Sequence, residues 1–259
     1  MLEFHFDNFM LYLMVVTRVS GAILFNPLFG RRNVPAIVKI GLSLLIAALI
    51  TPVLRVPLPV YPTTISMMIA FLKEMAVGYV TGYLMWMFTS WVLMAGELVD
   101  MQLGLSMGRI FDPNSNTSMS LSGTAFNTML TLIFFVSNGH LTLIRILANS
   151  CHIFTPGTEF LNAQAGSYLA LMLGEMIVLA LKLAMPVVAT ELLSEAGMGV
   201  LMKIVPQVNV FAVSLQVKIA VGLIVIIVAL PAMSRLMDST LVQMYDTIQN
   251  SLAAILSST

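Results

Sequence analysis

Apolar residues run almost without interruption through six stretches, Met10–Leu28, Ile37–Leu54, Ile65–Met94, Thr124–Phe154, Tyr168–Val188 and Val208–Ala229. A helix crossing ~30 Å of hydrocarbon needs about 20 apolar residues. The first, fifth and sixth stretches fit that length. The third is too long for one simple crossing, so part of it is expected to reach into protein or water. The fourth is interrupted by Ser137, Asn138, Gly139 and His140, which predicts two short helices joined by a turn. Half-length helices leave backbone groups that lipid cannot satisfy, so such a hairpin fits best among other protein. No alternating strand pattern is visible. The expected class is all-α: integral membrane-type helical hairpins with broken helices, forming one helical domain over 1–259.

The punctuation divides the chain in the same way. Pro27, Gly30 and Pro35 bracket a basic turn containing Arg31 and Arg32. Pro52, Pro57, Pro59 and Pro62 predict a stiff, extended connector. The longest polar stretch, Gly96–Gly123, contains Glu97, Asp100, Arg109 and Asp112 and a run of small turn-forming residues. The opening MLEFHFDNFM carries Glu3 and Asp7 where a signal peptide would carry Lys or Arg, so the first apolar run is expected to be retained.

Composition narrows the function. The 259 residues include 12 positive and 12 negative side chains, whereas a soluble domain of this length has about 65 charges. Mean hydropathy is +0.96 and 59% of residues are apolar, so too little polar surface exists to cover an ordinary soluble enzyme. No basic block is present to neutralise phosphates, which argues against nucleic acid as a partner. A single cysteine, Cys151, excludes an internal disulfide framework.

Ionisable residues inside apolar runs carry more information. At a bilayer centre each costs at least ~2.5–3.5 kcal/mol on insertion scales, so it faces a partner, a cavity or another subunit. Arg18, Glu175, Lys182, Glu191, Glu195 and Lys203 are the candidates for contacts between subunits. Snorkelling at a helix end competes with that reading for Lys73, Lys203 and Lys218. Glu175 and Lys182 are seven residues apart, on one helix face but too far for a direct pair. The basic residues of the first two connectors would both favour the cytoplasm, although a simple crossing puts them on opposite sides. A plain six-pass topology is therefore not expected.

Catalytic signatures are weak. Gly104-Leu105-Ser106-Met107-Gly108 has the form of a nucleophile elbow, but no strand precedes it and no histidine follows Glu159 to complete a triad. Small residues that permit close backbone packing explain it better, and Gly78-x-x-x-Gly82 carries the same message. His5, His140 and His152 lack the spacing of a helical metal site. No phosphate loop or dinucleotide fingerprint is present, so neither a cofactor nor an enzymatic activity is expected. The 21 methionines suit irregular packing between helices, and Met101, Met107 and Met119 are the ones placed to act as a deformable seal.

Three stretches point to one family. They are Phe25-Asn26-Pro27-Leu28-Phe29-Gly30 with Val34-Pro35; Ala95-Gly96-Glu97-Leu98-Val99-Asp100-Met101-Gln102-Leu103-Gly104 leading to Phe111-Asp112-Pro113; and Pro206-Gln207-Val208-Asn209-Val210-Phe211 followed by Lys218-Ile219-Ala220-Val221-Gly222-Leu223. Together they resemble the FliR family, the R-type subunits of the bacterial flagellar export gate, which are similar to the T export-gate protein of virulence type III secretion. The resemblance covers about residues 5 to 250. A self-sufficient transporter would instead show an internal repeat with paired broken helices.

The resemblance implies a subunit of a hetero-oligomer. In this family an R-type subunit joins several P-type (FliP) and Q-type (FliQ) subunits in a helical, cone-shaped assembly around a pore, together with FlhA-type and FlhB-type export proteins. Much of the assembly is raised out of the plane of the cytoplasmic membrane, at the flagellar basal body. It passes unfolded flagellar proteins, driven by the proton motive force with help from a separate ATPase. By the same resemblance Gly104–Gly123 is a plug loop, with Leu105, Met107, Arg109, Ile110, Phe111, Asp112, Met119 and Leu121 as its pore-filling residues. Pro206, Gln207, Asn209, Phe211 and Lys218 form a motif on the cytoplasm-facing side. Independently, Pro206 predicts a break between two helices around 206–211.

Overall fold

The computed structural model describes residues 6–30, 34–54, 61–106, 120–153, 156, 165–204 and 210–256. Every regular element among them is helical. The α-helices are α1 (Phe6–Leu24), α2 (Ala36–Ile50), α3 (Thr64–Gln102), α4 (Leu121–Val136), α5 (Gly139–Ile153), α6 (Ala165–Ile204) and α7 (Val210–Leu256), and a 3-10 turn at Thr51–Val53 extends α2. Four helical segments are long and apolar enough to cross a membrane: Ala36–Val53, Thr64–Gln102, Ala170–Ile204 and Val213–Ile248. The bent pair α4–α5 makes a fifth if counted as one span. The expected break in the fourth apolar stretch falls at Ser137 and Asn138. There Asn138 takes φ 57, a conformation Asn tolerates because its short polar side chain bonds locally.

Helices α6 and α7 extend well past the apolar stretches that announce them. They contain 40 and 47 residues and run through Pro186 and Pro231, giving lengths of about 60 and 70 Å at 1.5 Å per residue. Helix α6 is described to Ile204 and α7 from Val210, and the break predicted around 206–211 falls largely outside the described residues. Phe211 belongs to the first turn of α7, whereas Pro206, Gln207 and Asn209 lie outside the described residues.

The chain groups into two compact units. One comprises Met1–Phe88, Asn138–Leu173 and Leu241–Thr259. In it α1 and the first part of α3 run parallel with backbones in close contact. A β-carbon on Gly78 would collide with the Arg18 carbonyl, and one on Gly82 would lie 2.8 Å from the Ala22 carbonyl. The Gly78-x-x-x-Gly82 pair thus serves close helix contact, as its spacing predicts. Helix α2 returns antiparallel to α1, the Tyr12 hydroxyl donating to the Leu44 carbonyl at 3.3 Å. Asn26 organises the turn between them. Its Oδ1 accepts from the Leu28 and Phe29 amides at 2.7 and 3.2 Å, and its Nδ2 contacts the Met85 sulfur at 3.1 Å.

Arg18 forms the polar centre of this unit, fully buried on α1. Its Nε donates to Glu74 Oε2 at 2.6 Å, its Nη2 to Glu74 Oε1 at 3.1 Å, and its Nη1 to the Ser150 carbonyl at 2.9 Å. The forked guanidinium matches a carboxylate with two parallel bonds, a geometry lysine cannot reproduce. Arg18 therefore has its partners within its own chain, on α3 and near the end of α5.

The other unit comprises Thr89–Ser137 and Gly174–Thr240. Its core includes Trp91, Val92, Val99, Leu103, Phe134 and Leu183. Helices α3 and α4 touch backbone to backbone at Gly96 and Gly123, where a β-carbon on Gly96 would overlap the Gly123 Cα.

Candidate functional site

The polar segment that interrupts the apolar pattern leaves α3 through a defined turn. The Leu103 amide donates to the Val99 carbonyl at 2.9 Å and the Gly104 amide to the Met101 carbonyl at 3.2 Å. Gly104 then takes φ +75, the left-handed C-terminal cap in which glycine has no β-carbon to clash. Leu105 follows, half-buried. The return is capped as well. Ser120 precedes α4 and its Oγ accepts from the Gly123 amide at 2.7 Å, the usual way a serine satisfies an orphan donor.

Asp100 pins the two ends together. It is buried near the end of α3, and its carboxylate accepts from the Leu121 amide at 2.7 Å and the Ser122 amide at 3.1 Å. A carboxylate at a helix N-terminus satisfies free amides and meets the positive end of the helix dipole. The described residues that flank 107–119 are therefore held together at one point.

The floor beneath this point is built from α6 and α7. A β-carbon on Gly222 of α7 would strike Leu103 Cδ2, so any larger residue there requires the buried Leu103 side chain to move. A β-carbon on Gly104 would lie 2.7 Å from Leu215 Cδ1. The same Gly222 position lies 3.2 Å from Glu191 Oε1 of α6. Glu191 is fully buried, and both its oxygens lack a hydrogen-bond partner. One turn further along each helix, Lys218 and Glu195 form an ion pair. Ala95–Gly104 of the second resembling stretch and Lys218–Leu223, which follows the Pro206–Phe211 motif of the third, thus meet in space.

Among the other residues singled out from the sequence, Leu121 is exposed at the start of α4. Glu175 and Lys182 are exposed on α6, and Lys203 is exposed in its last turn. Met107, Arg109, Ile110, Phe111, Asp112 and Met119 lie outside the described residues. Asp100, Ser120 and Gly222 were not among the site residues chosen from the sequence. A buried aspartate just before a helix end, twenty residues ahead of a Ser-x-x-Gly start, is the signal that would have found the first two. Gly222, inside an otherwise bulky run, is its own signal.

Asp100→Ala is expected to lower the stability of the unit by about 2–3 kcal/mol, because it strands two amides that now bond a charged acceptor. Asp100→Asn should lose less, since one acceptor oxygen remains. Limited proteolysis between Ser106 and Ser120 is the check, with cleavage faster in the alanine variant. Equal cleavage in both variants and the parent would remove the pinning role.

Sequence comparisons show the family of the chain. A family model described as "Bacterial export proteins, family 1" matches residues 9–244. The flagellar biosynthetic protein FliR of Bacillus subtilis (strain 168) is 30% identical over 252 residues, 96% of this chain and 97% of the relative. FliR of Escherichia coli (strain K12) is 30% identical over 250 residues, 95% and 93% of the two chains. The surface presentation of antigens protein SpaR of Salmonella typhimurium is 30% identical over 166 residues, 63% of this chain and 62% of the relative. The family model and the two FliR comparisons span both Ala95–Gly104 and Lys218–Leu223 within a chain of membrane-type helices, and the chain belongs to the bacterial export proteins, family 1, as a membrane-associated component of a flagellar export apparatus.

Proposed function

We propose that the chain is a structural, channel-forming subunit of the flagellar export gate, through which unfolded flagellar proteins pass across the bacterial cytoplasmic membrane. The observation that supports this reading is the joint at Asp100 between the end of α3 and the start of α4, with Gly104 and Ser120 as caps on either side of residues 107–119 and Leu103 packed on Gly222. A segment whose flanks are held together by a buried staple, and whose sequence contains Met107, Ile110, Phe111 and Met119, suits a plug. Apolar constrictions exclude water and ions, while the fixed ends keep the plug beside its pore. Its work is positioning and sealing, with no catalytic step and no cofactor.

The partners in this reading are P-type and Q-type subunits, FliP and FliQ, with FlhA-type and FlhB-type proteins. Glu175, Lys182 and Lys203 are exposed charges on an otherwise apolar helix, and such groups require an opposite charge or water. Contacts between subunits supply the former. Pro206, Gln207 and Asn209, between α6 and α7, form the cytoplasm-facing rim, with Lys218 already engaged by Glu195.

The test is deletion of Ile110–Met119, which spares the Ser120 cap, followed by confirmation that the complex still assembles. Ion conductance and small-solute leakage are expected to rise at least tenfold. A membrane that stays tight with the deleted subunit assembled overturns the plug.

A further inference from the structure

Helix α6 carries two carboxyl groups one turn apart, Glu191 and Glu195, and α7 places Lys218 and Gly222 one turn apart against them. The outer rung is complete. Lys218 pairs with Glu195, and the two side chains are 20% and 45% exposed. The inner rung is not. Glu191 is 0% exposed, and among the described residues neither of its oxygens has a hydrogen-bond partner. Opposite it stands Gly222, which has no side chain with which to donate a bond. Leu103, at the end of α3, fills the space over Gly222: a β-carbon there would overlap Leu103 Cδ2 and lie 3.2 Å from Glu191 Oε1.

We propose that Glu191 is a proton-binding site, occupied in this packing and covered by Leu103. A bare carboxylate in a sealed site, without a hydrogen bond, is too costly to persist, and taking up a proton removes the charge. The surrounding charges do not relieve it. Lys218 of α7 and Glu195 of α6 are the charged groups that act on Glu191, and they are already paired with each other. On α3, Asp100 is engaged by the Leu121 and Ser122 amides, and Leu103 brings no charge. Helix α4 has no ionisable side chain. A second negative charge four residues from Glu195 would compete for one ammonium group, whereas a neutral carboxyl leaves the outer pair intact.

The proton has a short way in. Water reaches the Glu195–Lys218 rung, which stands one helical turn, about 5.4 Å, from Glu191. Leu103 is the cover on the α3 side, and it immediately precedes Gly104 in the turn that leaves α3. A shift that lifts Leu103 from Gly222 bares the carboxyl group to water and lets it release its proton. Proton occupancy and the seating of α3 on α7 are thereby coupled, each biasing the other. The inference goes beyond the proposed function and needs neither the plug nor the pore.

Infrared spectroscopy of the assembled complex in lipid vesicles is the test. At neutral pH, the spectrum of the parent minus that of Glu191→Gln should contain the carbonyl band of one neutral carboxyl group, displaced in heavy water. Glu191→Leu replaces the glutamine variant if that assembles poorly. With Leu103→Ala in both proteins, the band should convert to a carboxylate at lower pH than in the parent pair, because water then reaches the group. Leu103→Val serves if alanine prevents assembly. Carboxylate bands from Glu191 in the parent at neutral pH would overturn the proton site. A conversion that the Leu103 variants leave unmoved would overturn the cover. Neither result bears on the plug, which the leakage measurement decides.

Discussion

Replacing Arg18 with methionine is expected to cost about 3–5 kcal/mol of stability, because it leaves Glu74 as a buried charge without its counter-ion. The pair is sealed, with 0% and 1% of the two side chains exposed, so water cannot substitute for the lost guanidinium. The Ser150 carbonyl loses its donor in the same step. The double variant Arg18→Met, Glu74→Leu should recover most of the loss, since apolar groups of similar volume replace a buried pair at little net cost. Thermal unfolding of the purified complex and the amount of chain retained in membranes are the measurements. A double variant no better than Arg18→Met would show that the ion pair is not what the arginine provides.

The second large effect is expected at Gly96. Its missing β-carbon lets α3 and α4 touch through backbone alone. Backbone cannot rotate aside as a side chain can, so Gly96→Ala must push the helices apart, at about 2–3 kcal/mol or more. Gly174→Ala on α6 is the matched control. Nothing lies within 4 Å of the position its β-carbon would take. Alanine should there be neutral or stabilising by up to about 1 kcal/mol, the ordinary helix preference over glycine. Equal losses at the two sites would mean that helix propensity in the membrane, rather than contact, sets the cost.

Much of the architecture was legible in the sequence because lipid imposes simple rules. Apolar length predicted the helices, and Ser137–His140 predicted the break in the fourth stretch. The sizes of α6 and α7 were not legible. Hydropathy falls after Val188 and Ala229, where Glu191, Glu195 and Arg235 enter, yet the helices continue because neighbouring helices receive part of that polar surface. Partner identity was equally hidden. Arg18 stood out as a charge in an apolar run, but its partner lies 56 residues away on another helix, and no local spacing encodes such a pair. The packing around Leu103 shows the same limit. Gly104 and Gly222 are readable as small residues, but their meeting around Leu103 depends on how three helices cross.

The buried arginine also bears on how the chain is made. Ribosomes add about 5–20 residues per second. Glu74 follows Arg18 by 56 residues and Ser150 by 132, so α1 exists for roughly 3–11 s before its carboxylate emerges, and for roughly 7–26 s before its last acceptor. An unpaired arginine in lipid is costly throughout that interval. A chain entering the bilayer is therefore expected to commit α1 together with α3, not ahead of it.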